Sequence, residues 1–215
     1  MTIWMTARGA GLSALVLLTV STCVGALTSG RGKPATRVVL QYVHRTAASL
    51  GLGVLVLHVG MILADSYAQV GVTGAIVPFT STYRATWVGL GTLAAYSFLF
   101  VSALGFARGR IAGSQRGVAI WRKLHCAAYG GWALAVVHGF KSGTDSSVTW
   151  VRMLYVFSVL SVLAAAAFRV SAIGHRALRP APTLRALTAG TTTARPTTAR
   201  PTSARPTETR QAVTR

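Results

Sequence analysis

The chain has 215 residues, 52% of them hydrophobic, with 22 Lys or Arg against three acidic residues and a formal charge of +19. Sparse charge within a hydrophobic majority excludes an ordinary soluble domain and predicts an integral membrane protein. The basic residues lie almost wholly in short segments between apolar stretches or in the last 47 residues. That distribution follows membrane topology, so nucleic acid is excluded as a partner and membrane lipid is the expected one.

In chain order, residues 11–28 form a first apolar span. The short segment before it carries only Arg8, and no convincing small-residue cleavage site follows, so an uncleaved helix is expected. Arg31, Lys33 and Arg37 crowd the next loop. A second span, about 38–64, carries His44 and His58, and residues 65–83 read as a loop with Asp65, Gly71, Gly74 and Pro78. The third span, about 85–107, has no histidine. A basic loop with Arg108, Arg110, Arg116, Arg122 and Lys123 leads into a fourth span, about 122–142, which holds His125 and His138. The fifth, about 149–170, starts at Trp150.

Each span approaches the roughly 20 residues that cross the hydrocarbon core. All should be helical, because an open strand would leave backbone groups unpaired in lipid. The expected fold is therefore an all-α, polytopic membrane bundle of about five helices. It divides into a first helix and loop (1–37), a histidine-bearing domain (38–170) and a tail (171–215). The tail repeats TTARP, TTARP and TSARP; such a composition cannot bury a core and predicts disorder.

Basic residues set the expected orientation. The 29–37 and 108–123 loops hold eight Lys or Arg and the tail nine, whereas Arg8, Arg84, Lys141 and Arg152 are the four on the other side. In a cell membrane this places the N-terminus outside and the tail in the cytoplasm. Trp87, Trp121 and Trp150 fall at span ends, where interfacial aromatics belong. Cys23 and Cys126 are isolated within apolar spans and read as small buried residues, neither a disulfide nor a zinc site.

The four span histidines carry the chemistry. A polar ionisable group in hydrocarbon is costly unless it is paired. Spans two and four run in the same direction, so His44 matches His125 in depth near the cytoplasmic (inner) end, and His58 matches His138 near the outer end. The spacings of 14 and 13 residues separate the two levels by roughly 20 Å. Imidazole is a common axial ligand of haem iron, and two pairs at two levels predict two haems. Angular phase fits less well: 14 residues return to within about 40° of one face, whereas 13 leave about 140° on an ideal helix. Gly51 and Gly131 lie near the midpoints of the two intervals, where a missing side chain would let a flat macrocycle approach or would serve helix packing. Haem propionates seek basic partners. Arg37, Arg45, Arg122 and Lys123 are available near the inner pair, Arg84 and Lys141 near the outer pair. His175 lies beyond the last span and reads as a surface residue. Asp65-Ser66 and Asp145-Ser146 each follow an outer histidine by seven residues. They read as polar helix terminations paired with Arg84 or Arg152, with a landing site for a cationic acceptor as the alternative.

The segment WRKLH…Y…VVHG…GTD, with the upstream pair of histidines, resembles the ferric reductase-like transmembrane domain over roughly residues 38–165. That superfamily includes the haem-carrying membrane halves of ferric reductases and NADPH oxidases, and the haem subunit of a bacterial methionine sulfoxide reductase system. The resemblance implies that His44, His58, His125 and His138 ligate two b-type haems that pass electrons across the membrane. Three features depart from the family pattern. Many members have six spans, where five are expected here. Cys126 follows His125 where relatives often have arginine. No flavin or nucleotide motif is seen, so a separate flavoprotein or quinol is the expected electron donor. On this reading the chain is the membrane component of an oxidoreductase; the alternatives are a non-catalytic haem-binding or assembly subunit, and a small transporter using its histidines as proton relays.

Overall fold

The computed structural model describes residues 2–28, 33–66 and 68–177. The side chain of His175 and residues 178–215, which include most of the expected tail, lie outside the described residues, as does Arg31.

Eight helices and no strand form among the described residues: α1 Thr2–Leu27, α2 Pro34–Ala64, α3 Gly71–Ile76, α4 Ala85–Phe106, α5 Arg108–Ile111, α6 Gln115–His125, α7 Ala127–Ser142 and α8 Thr149–Ala177. Four are long and apolar enough to cross a membrane, at Ile3–Leu27, Pro34–Ala64, Ala85–Phe106 and Thr149–Ala172. The molecule is an all-α, multi-pass membrane bundle. The expected fourth span differs, because it is interrupted at Cys126. That residue's N–H is shared between the Arg122 and Lys123 carbonyls, and its own carbonyl takes the Tyr129 N–H three residues on. This is a tightened, 3₁₀-like turn. The 16-residue α7 is about 24 Å long, short of the roughly 30 Å hydrocarbon core. The basic, amphipathic α6 precedes it. It starts at Ser114, whose hydroxyl accepts from the Gly117 N–H at 3.0 Å and so satisfies one of the free amides at the helix start.

The helix α1 is the hub: it packs along the length of α2 and also against α7 and α8, while α4 packs on α7. Small residues make these approaches close, with Ala7, Ala10, Ala14 and Ala26 of α1 buried, as are Ala47, Ala94 and Ala165. The hydroxyls of Thr19 and Thr22 donate back to Leu15 and Leu18 carbonyls at 2.7 and 2.8 Å, which pairs these two buried hydroxyls within their own helix. Thr19 also accepts from the Trp132 indole N–H at 2.9 Å, a buried tie between α1 and α7. Many large apolar side chains face outward instead. Val39, Leu50 and Val56 on α2 and Phe157, Leu160 and Leu163 on α8 are exposed, the inverse of a soluble protein and suited to lipid.

Candidate functional site: two facing histidine pairs

His44 and His58 lie on α2, His125 closes α6, and His138 lies in the last part of α7. The bundle brings them together two by two, at the depths their spacing implies. The His44 and His125 ring centroids are 6.1 Å apart with planes at 69°, and those of His58 and His138 are 6.5 Å apart at 76°. An imidazole nitrogen binds a transition metal at about 2.0 Å, so two rings facing across one ion hold their centroids roughly 6 Å apart. Both pairs have that spacing. The helix α2, which carries one ring of each pair, does not form a packed pair with α6 or α7, which carry the other rings; α1 packs behind α2, and α4 behind α6 and α7.

Three of the four rings are fixed in one orientation. The Nδ1–H of His58 donates to the Ala7 carbonyl at 2.7 Å, that of His44 to the Ser21 carbonyl at 2.8 Å, and that of His138 to the Trp87 carbonyl at 2.7 Å. A carbonyl can only accept, so Nδ1 carries the proton and the Nε2 lone pair is left free to ligate. Ser21 adds its hydroxyl, 3.0 Å from His44 Nδ1. Hydrogen bonds of this kind orient the imidazole rings of known metal sites.

The same local device serves all three. Each accepting carbonyl is followed four residues later by glycine: Ala7 by Gly11, Ser21 by Gly25, Trp87 by Gly91. A Cβ at Gly11 would stand 3.0 Å from the His58 ring, one at Gly25 3.0 Å from His44, and one at Gly91 2.5 Å from His138. The carbonyl already accepts the helix bond from its i+4 amide. Only a glycine there lets an imidazole reach the same oxygen from the side. Sequence reasoning missed these three glycines. The available signal was the 14-residue interval of Gly11–Gly25, which repeats that of His44–His58.

His125 is different. Its Nδ1 is buried with no hydrogen-bond partner, and its ring stacks on Trp121 at 4.8 Å and 19°. Trp121 is held by its indole N–H, which donates to the Leu104 carbonyl at 3.0 Å. The turn at Cys126 accounts for part of the phase gap between His125 and His138, since each residue wound as 3₁₀ advances about 120° rather than about 100°. The Cys126 thiol is exposed and lies 3.8 Å from the Arg169 guanidinium, so an arginine does reach this position, from α8.

The remaining expected residues fall as follows. Gly51 and Gly131 are buried at helix contacts: a Cβ would meet Leu18 of α1 at 3.0 Å in the first case and Ser97 of α4 at 2.7 Å in the second. Packing against α1 and α4 accounts for both. Arg45 and Arg122 are exposed beside the inner histidines. Asp65 caps the C-terminus of α2 and is buried rather than displayed at a surface. Asp145 pairs with Arg8 across the N-terminal helix, instead of with Arg84 or Arg152; the Arg84 guanidinium donates to the Lys141 carbonyl. Around the outer pair lies a largely apolar cavity of about 1460 Å³, counted with its open mouth. His58 and His138 line it together with Leu15, Leu55 and Phe98, and its polar lining includes Arg8 and Asp145.

Comparison with protein-family models, with curated proteins and with solved structures gives no match for this chain. The function is therefore argued from the site.

Proposed function

We propose that the chain is a membrane-embedded di-haem b electron carrier, the membrane component of a ferric reductase-like system supplied by a separate flavoprotein or by quinol. The observation that carries this reading is the pair of facing imidazole couples, 6.1 and 6.5 Å between centroids, with Nε2 left free in three of the four rings by the bonds at Nδ1. The donor set fits haem better than a bare ion. A structural zinc site takes four protein ligands, and no group of three or more His, Cys, Asp or Glu gathers among the described residues. Two imidazoles on opposite sides suit an iron that brings its other four donors with it.

In this role His44 and His125 hold the inner group, and His58 and His138 the outer one. Bound haem would supply one-electron redox chemistry at two depths. The chain supplies orientation through the Ala7, Ser21 and Trp87 carbonyls, room through Gly11, Gly25 and Gly91, and exclusion of water through the apolar walls of the slot. The largely apolar cavity lined by His58 and His138 is where a flat macrocycle would lie. Arg8 on its lining, already paired with Asp145, would be shared with a propionate there, and Arg45 and Arg122 are the corresponding cations at the inner end. The N-terminus outside and the tail in the cytoplasm complete the proposed arrangement.

The test is a reduced-minus-oxidised spectrum of the purified protein. The reading predicts b-type bands; a spectrum without them contradicts it and favours the proton-relay alternative. Electron transfer through proteoliposomes to an external acceptor separates a carrier from a non-catalytic haem-binding subunit.

A further inference from the structure

The carbonyl-plus-glycine step that seats three histidines has a counterpart on α4 at the same 14-residue interval that separates the two steps of α1, and the fourth histidine does not use it. On α1 the two steps, Ala7/Gly11 and Ser21/Gly25, are 14 residues apart. On α4 the step Trp87/Gly91 seats His138, and 14 residues further on stands Val101/Gly105. Nothing packs against Gly105: a Cβ built there meets open space within 4 Å. Helix packing therefore gives no reason for a glycine at this position.

The register of α4 against the α6–α7 pair brings His125 to the same place. The two run antiparallel, with Trp87 level with His138 and Leu104 level with Trp121. His125 lies one helical turn beyond Trp121, which sets it beside the turn containing Val101. Val101 is buried, and the buried Nδ1 of His125 is the one Nδ1 of the four without a hydrogen bond. An unpartnered ring nitrogen and an unfilled seat of the kind that holds its three counterparts occur at the same level of the bundle.

We infer that the Val101 carbonyl and Gly105 form the seat of His125 in the ligand-holding state, where Nδ1–H donates to Val101 and Nε2 is turned toward His44. Gly105 is then a positioning residue, acting through His125. Stacking on Trp121 holds the ring in its unseated orientation, and the tightened turn at Cys126 gives the slack for the change. The inference rests on the proposed haem ligation and adds a specific fourth support to it.

The test uses full-length protein carrying Gly105→Val, Gly105→Ala or, as a control at another open glycine, Gly109→Val. The readouts are haem per chain and the midpoint potentials of the two haems, the inner one identified by its loss in His44→Ala. Gly105→Val should weaken retention of the inner haem by about tenfold or more, the usual effect of removing a ligand's outer-shell partner, and leave the outer haem in place. Gly105→Ala should raise the inner potential without loss of haem, because an imidazole with a weaker Nδ1 bond is a poorer donor to ferric iron. Inner content and potential unchanged in both Gly105 variants of a two-haem protein would overturn the inference alone, as would an equal effect from Gly109→Val. A wild-type protein without haem would overturn the proposed function, and this inference with it.

Discussion

The outer and inner histidine pairs have nearly the same ring separation but unequal support. At the outer pair, His58 and His138 are both tied through Nδ1 to main-chain carbonyls, and both rings press on a glycine of the helix behind. At the inner pair only His44 has that arrangement; His125 rests on an indole and leaves a buried nitrogen unbonded. An unmet buried donor or acceptor costs roughly 1–3 kcal/mol, so the inner pair is the less settled of the two. Ring orientation in this bundle comes from helices that carry none of the four histidines: α1 and α4 set the rings of His44, His58 and His138.

Breaking the outer support should have the largest effect. Gly91→Ala places a Cβ against a His138 ring pinned by the Trp87 carbonyl, an overpacking that costs about 1–3 kcal/mol. It should displace the outer haem first, read as the loss of one of two haems per chain. Gly25→Ala is a milder intrusion, with the added Cβ at 3.0 Å from His44 rather than 2.5 Å from His138, and should weaken the inner site without emptying it. The reverse order of the two variants would mean that the glycines serve helix packing and not the rings.

A smaller effect sharpens the comparison from the inner side. Trp121→Leu removes a stack worth about 0.5–1.5 kcal/mol and releases His125 to take its seat. Inner haem retention should rise slightly or hold while thermal stability falls, measured by haem titration beside a melting curve. Loss of the inner haem in this variant would show that the indole supports the ligand-holding orientation instead of opposing it.

Much of this was legible in the sequence. Span positions followed from apolar length, and the pairing of His44 with His125 and of His58 with His138 followed from depth, because two parallel spans with near-equal histidine spacing leave little choice. The break at Cys126 was not legible: the residues beside it, Leu124, Ala127 and Ala128, are ordinary helix formers. The role of α1 was hidden for a different reason. Its contribution is made by carbonyls and by missing side chains, at Ala7, Gly11, Ser21 and Gly25, and residue type alone does not announce a backbone acceptor. The Arg8–Asp145 ion pair joins residues from opposite ends of the bundle's sequence, so no local pattern could pair them.

The central claim is that each histidine pair holds one haem. The most direct measurement is haem per chain in purified wild-type protein, in His58→Ala/His138→Ala and in His44→Ala/His125→Ala. The account predicts two, then one, then one, with the residual haem differing in spectrum and potential between the two double variants. Equal haem content in all three proteins, or none in the wild type, would contradict it.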